Sequence, residues 1–374
     1  MNLALIFARD NEGGDRLFDP YRSRSFLEGL RREKFEPMIG DLVLDEDSLL
    51  LDSWPNAAEE VLSDHADRRS LSDVLRSHQP LIVHTFGDIM RLGSVWTHAA
   101  HADCPIVHFV ASGCDERTAT RAGKIRRTAW SRNGLCARHA SRHVGGIVGS
   151  SRAAIANHIE SSFFPHAKFS MLALPPTSIA PGIEDRTQRD VSAMPTLGYY
   201  DDGGLDEPLN FLFDATNLTG SQQLFRLLIA RQDGSPVAGV HAPANVSFRR
   251  VGEVSDFVQS IDVLIVPQSD DRAMEGVLLA LRSKKIVIAP DGGTISEALQ
   301  FGRHGVLFRA GSAYHLAMAI NEVTESWKRP PFGFKGVDAV FELTSPDKVA
   351  RIFARAYRKL GELTTPELKN MVAR

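Results

Sequence analysis

NVSFRRVGEVSDFVQSIDVLIVPQSDDRAMEGVLLALRSKKIVIAPDGGTISEAL, residues 245–298, carries three short apolar runs set between segments of helical period. The runs are NVSFRRVGEV (245–254), IDVLIVP (261–267) and KIVIAPDGG (285–293). Each is β-branched and ends in glycine, proline or polar residues, the pattern of a strand that runs into a loop. Residues 276–283 read as a helix opened by Gly276. Strands apolar on both faces and separated by helices form a parallel sheet covered on both sides.

The same alternation extends outward. TLGYYD (196–201) and FRLLIARQDG (225–234) precede this stretch and GVLF (305–308) follows it. Upstream, LPPTSIAPGIEDRTQRDVSAMP (174–195) is polar and proline-bearing, the composition of a linker. Before it lies another βα series. It comprises an apolar run at 3–7, a glycine-bearing loop at 9–15, a helical pattern through Phe26, Leu27 and Leu30, and apolar runs at 37–44, 81–88, 105–113 and 145–151. A chain of 374 residues is too long for one ordinary core. Two successive parallel α/β domains are therefore expected, with a cleft between the carboxyl ends of their sheets, where ligands of such folds sit.

Composition narrows the function. Hydrophobic residues make up 43% and charged residues 24%, which is globular composition. Lys and Arg total 43 against 46 for Asp and Glu, so no global field draws the chain to nucleic acid. MNLALIFARDNEGG at the amino terminus lacks the basic region and apolar length of a signal peptide, and no stretch reaches the roughly 18 apolar residues of a membrane helix. A cytoplasmic protein is expected. Three cysteines, Cys104, Cys114 and Cys136, suit a reducing compartment and read as packing residues. His139 and His143 stand at i and i+4 with no acidic or thiol partner nearby, so no metal is expected.

Residues 245–298 resemble the core of the family 4 glycosyltransferases, which have the GT-B fold of two Rossmann-like domains facing a central cleft. The matching units are Gly252, Glu253 and Val254, which in that family face the nucleotide base; Pro267, Gln268 and Ser269 at a strand end; an acidic, glycine-containing loop that opens a helix; and the turn Gly292–Gly293 followed by Glu297. Upstream, VGSSRAAIANHI (148–159) with FSMLALPP (169–176) resembles the family's serine-helix passage, IVHTFG (82–87) its histidine-bearing strand end, and Gly13 with Gly14 its first-loop glycine pair. SPDKVARIFARAYRKL (345–360) resembles the last helix, which in GT-B enzymes crosses back onto the first domain.

The resemblance implies an acceptor-side domain at 1–180, a nucleotide-sugar-binding domain at 181–344 and a returning helix at 345–374. It implies that Gly252, Glu253 and Val254 meet the base, that the backbone of Glu275, Gly276 and Val277 meets the diphosphate, and that Asp271 stands near the sugar as the catalytic carboxylate. Gly13, Gly14 and His84 fall on the acceptor side. No cofactor or metal is expected, the nucleotide sugar being a substrate. Close approach of backbone N–H groups to a phosphate favours glycine at such a helix start; Gly276 also has the plainer reading of a turn residue.

Three parts of the site depart from the family. Tyr199 stands where an arginine normally neutralises the leaving diphosphate, and Glu207 stands near its lysine partner. The family's two glutamates eight positions apart become Asp271 and Leu279, and Leu279 cannot accept hydrogen bonds from a ribose. Ala111 replaces a histidine; His108, three residues earlier, points to the opposite face of its strand and reads as a core or interface residue. Arg249 or Arg250 would supply part of the missing positive charge.

From Arg117 to Arg152 nine basic residues and no acidic one occur, which suits either a peripheral contact with an anionic membrane at its inner face or with a phosphate-bearing acceptor, or a solvated face paired with the acidic first segment of the domain. The sequence leads to a retaining hexosyltransferase that uses a nucleotide sugar and a glycan or lipid-linked acceptor. Two other classes stay open: a catalytically silent homologue that serves a partner glycosyltransferase, and a nucleotide-binding enzyme of other chemistry such as a sugar epimerase.

Overall fold

The computed structural model describes residues 1–8, 24–44, 49–54, 67–77, 81–87, 89–110, 132–160, 162–174, 176, 194–201, 207–220, 224–231, 244–250, 254–267, 273–327 and 337–364. The chain divides into two compact units, Met1–Ser178 with Glu342–Arg374, and Ile179–Phe341.

The first unit contains β1 (Asn2–Ala8), α1 (Arg24–Arg32), β2 (Glu36–Leu44), β3 (Leu49–Trp54), β4 (Asp67–Ser70), α2 (Leu71–Ser77), β5 (Leu81–Gly87), α3 (Ile89–His101), β6 (Ile106–Val110), α4 (Arg132–Ala140), a 3₁₀ turn (Ser141–His143), β7 (Val144–Gly149), α5 (Arg152–Glu160) and β8 (Ser170–Leu172). The second contains β9 (Thr196–Asp201), α6 (Glu207–Leu218), β10 (Arg226–Arg231), β11 (Val246–Arg250), α7 (Val254–Ser260), β12 (Val263–Ile265), α8 (Met274–Arg282), β13 (Ile286–Asp291), α9 (Gly293–Ala298), β14 (Val306–Arg309) and α10 (Ala313–Glu325). Helix α11 (Val337–Thr344) carries the chain across the boundary, and α12 (Pro346–Thr364) belongs to the first unit.

The first sheet runs β4-β3-β2-β1-β5-β6-β7-β8. Its two-residue period separates two cores. Leu3 and Leu5 of β1 enter one with Phe26, Leu30, Phe353 and Tyr357, while Ala4 and Ile6 enter the other with Leu75, Val95 and Trp96. Helix α12 supplies Val349, Ala350, Phe353, Ala354, Tyr357 and Leu360 at helical spacing, all essentially inaccessible to solvent. Burial of each large side chain contributes about 1.5–3 kcal/mol, enough to hold this last helix on the sheet. The expected parallel pairing holds from β2 through β1 and β5 to β8. It stops at β3 and β4, which extend the sheet in antiparallel pairs.

The second sheet is wholly parallel, with order β11-β10-β9-β12-β13-β14. Strands β9 to β11 step outward in one direction, and β12 to β14 step outward in the other. The direction reverses between β9 and β12, and open α/β sheets bind ligands beyond the carboxyl ends of the strands at such a point. One face packs Leu197, Ile229 and Val263 under α6 and α10; the other packs Ala230, Leu264 and Val287 under α7, α8 and α9. Gly198 of β9 permits α7 to come close, since a Cβ there would lie 2.7 Å from Phe257 Cζ.

Candidate functional site

The reversal point positions a small set of groups. After β12 the chain enters α8, which begins at Met274, two residues before the expected start, so Gly276 is the third residue of the helix and not a turn residue. Its N-cap, Ala273, has no side chain to accept a hydrogen bond from the first-turn amides. The positive end of the helix dipole and these amides make the start of α8 suited to an anion.

Among the described residues Gly276 has no packing reason to be glycine: a Cβ there would meet only Val254 Cγ1 at 3.6 Å and Leu264 Cδ2 at 3.8 Å, ordinary van der Waals contacts. Alanine is the better helix former by about 1 kcal/mol. By contrast, Gly292 and Gly293, where β13 turns into α9, have φ of 118° and 69°, backbone that glycine adopts without strain. The same contact shows that two of the expected donor residues, Val254 at the start of α7 and Gly276, are neighbours. Val277 is wholly buried, and with the helix starting at Met274 its N–H makes the first intrahelical bond, to the carbonyl of Ala273, so of the three expected amides those of Glu275 and Gly276 lie in the open first turn of α8. Gly252, Glu253, Asp271, Gly13 and Gly14 lie outside the described residues.

The departures from the family have structural counterparts. Leu279 is 4% exposed within the core against α7 and α9, and Tyr199 packs in the opposite core with Leu212 and Phe213. Both positions serve packing. Arg249 and Arg250 are exposed on β11, the edge strand.

Sequence reasoning missed a pair of charges at the carboxyl edge. Asp201 ends β9, Arg231 ends β10, and the two are register partners. Arg231 Nε lies 3.1 Å from Asp201 Oδ2, with the side chains 16% and 7% exposed. Arg250, the last residue of β11, is the register partner of Arg231 on its other side. The available signal was that two apolar runs, TLGYYD and FRLLIAR, end in opposite charges.

His84, expected on the acceptor side, is fully buried: its Nδ1 is 2.7 Å from the Tyr357 hydroxyl and its ring stacks on Phe86, in the core shared by β5 and α12. Burial, reinforced by His108, holds its pKa well below the ordinary value. Among the described residues its Nε2 has no hydrogen-bond partner. His108 is a core residue as read from the sequence. Its Nδ1 lies 3.0 Å from both the carbonyl and the hydroxyl oxygen of Thr85, and burial, with a smaller contribution from His158, lowers its pKa to about 3.

Cys104 is buried, whereas Cys136 is exposed on α4 and is no packing residue. Among the described residues no group of His, Cys, Asp or Glu is arranged to hold a metal ion. No described helix is long and apolar enough to cross a membrane.

No protein-family model and no curated protein matches the chain. Solved structures do. The chain is similar to Anabaena HepE, crystallised with UDP, with a TM-score of 0.65 at 14% identity over 95% of this chain and 99% of that one. Sucrose-phosphate synthase from Thermosynechococcus elongatus aligns with a TM-score of 0.62 at 15% identity over 96% and 99%. The catalytic domain of starch synthase IV from Arabidopsis thaliana, bound to ADP and acarbose, aligns with a TM-score of 0.55 at 12% identity over 100% and 99%.

The chain has the GT-B fold. The GT-B match spans both units, and the second unit's strand order is that of a nucleotide-binding Rossmann sheet.

Proposed function

We propose that the chain is a nucleotide-sugar-dependent glycosyltransferase that transfers a hexose to a glycan or glycolipid acceptor with retention of configuration. One observation carries the reading: a helix-forming position at the reversal point of a GT-B sheet holds a glycine that neither backbone conformation nor packing among the described residues requires. A diphosphate drawn up against the first-turn amides of α8 accounts for it.

In this reading Gly252 to Val254 hold the base, the open first-turn N–H groups of Glu275 and Gly276 hold the β-phosphate, and Asp271 orients the sugar. The acceptor hydroxyl attacks the face from which the diphosphate departs, and the departing oxygens receive its proton, so no strong protein base is needed. Transition-state stabilisation then falls on the donors and cations around the leaving group. HepE has also been crystallised with UDP-glucose, which makes the uridine donors the first to test.

Calorimetric titration of the full chain with UDP, ADP and GDP is the test. The proposal expects micromolar binding of one of them, followed by release of that nucleotide from its hexose conjugate in the presence of acceptor. Absence of binding by all three would sink it and leave the silent homologue as the better description.

A further inference from the structure

The leaving diphosphate needs positive charge, yet Tyr199, at the place of the usual arginine, is a core residue. The carboxyl edge of the second sheet supplies another source. Asp201, Arg231 and Arg250 are the last residues of β9, β10 and β11, and the register sets them side by side in that order. By the two-residue period they share the sheet face of Leu197, Ile229 and Phe248, which α6 and α10 cover. The row starts beside the reversal point, on the strand next to β12, whose loop leads into α8.

The pair at the head of the row is built like a fixed cation. Asp201 is 7% exposed and engages the Nε edge of Arg231, itself 16% exposed. A guanidinium held by a buried carboxylate has lost most of its rotamer freedom before a ligand arrives, so little ordering remains to oppose binding. Such preorganisation gives a charge its catalytic value, because it need not reorient as the diphosphate departs. The pair is nearly neutral by itself. Arg250 adds a second, exposed cation at the next strand end.

We infer that Arg231, oriented by Asp201, is the residue that binds and neutralises the leaving nucleoside diphosphate. It would replace, from the end of β10, the arginine that Tyr199 displaces from β9, with Arg250 adding to the field. The inference rests on the glycosyltransferase reading above and names the cation that reading lacks.

The test compares the full chain with Arg231→Gln and Arg231→Lys by calorimetry against UDP, ADP and GDP. Charge-assisted hydrogen bonds of this kind are worth about 10- to 100-fold in affinity. The nucleotide that binds should therefore bind Arg231→Gln weaker by that factor, and Arg231→Lys should fall between the two because it keeps the charge and loses the fork. Binding unchanged in Arg231→Gln overturns the inference and leaves the glycosyltransferase reading standing. So does an equal loss in both variants, which would mark Arg231 as structural. A full chain that binds none of the three overturns both.

Discussion

Gly276 is the residue at which fold and ligand make opposite demands. The fold alone favours alanine, because the added methyl finds ordinary contacts and helix propensity improves. Gly276→Ala should therefore leave stability unchanged or raise it by up to about 1 kcal/mol in urea unfolding, while nucleotide affinity falls by about tenfold as the methyl holds the phosphate off the amides. A variant that binds as well as the parent would remove the glycine from the site. The helix start was visible in the sequence only to within two residues, since helix ends depend on caps and local contacts. Leu279 shows a different limit. Its mismatch with the family was legible, but its place in the core under α7 was not, because helical period alone does not say which side of α8 faces the sheet. The Asp201–Arg231 pair was likewise invisible, being made by register between two strands about 30 residues apart in the chain.

Among the elements, α12 has the plainest sequence signal and the most consequential packing. Its apolar stripe specified a buried face, and the Tyr357 hydroxyl on that face meets His84 of β5. Tyr357→Phe should destabilise the first unit by about 1–3 kcal/mol, since it leaves the His84 ring without its hydrogen bond in the core. The buried histidines add a pH dependence whose sign is fixed. Folding holds His108 near pKa 3 and lowers His84 as well, so the unfolded chain binds more protons below its ordinary histidine pKa near 6.5. Stability is complete above that value and is lost as pH falls from it toward 3, by up to about 1.4 kcal/mol per pH unit for each histidine. Urea midpoints at pH 7.5, 6 and 5 measure the slope; a flat profile would contradict the burial of both rings. Strands β3 and β4 were the elements the sequence hid. DRRS (67–70) has neither aromatic residues nor alternation, so only its pairing with β3 makes it a strand.

At the scale of the whole molecule, the α/β alternation and the βα series of the second unit were readable because both depend on local period and turn chemistry, which survive where identity to solved structures is only 12–15%. The chemistry of the site was less readable, because a diphosphate site is made largely of backbone N–H groups that any sequence can present. In the proposed reading the start of α8 holds a nucleoside diphosphate. Hydrogen–deuterium exchange of the full chain, with and without saturating UDP, ADP or GDP, measures this directly. Exchange should slow at the open first-turn amides of Glu275 and Gly276 with the nucleotide that binds. Bound nucleotide that leaves those two amides unprotected, while slowing exchange elsewhere, would rule the site out.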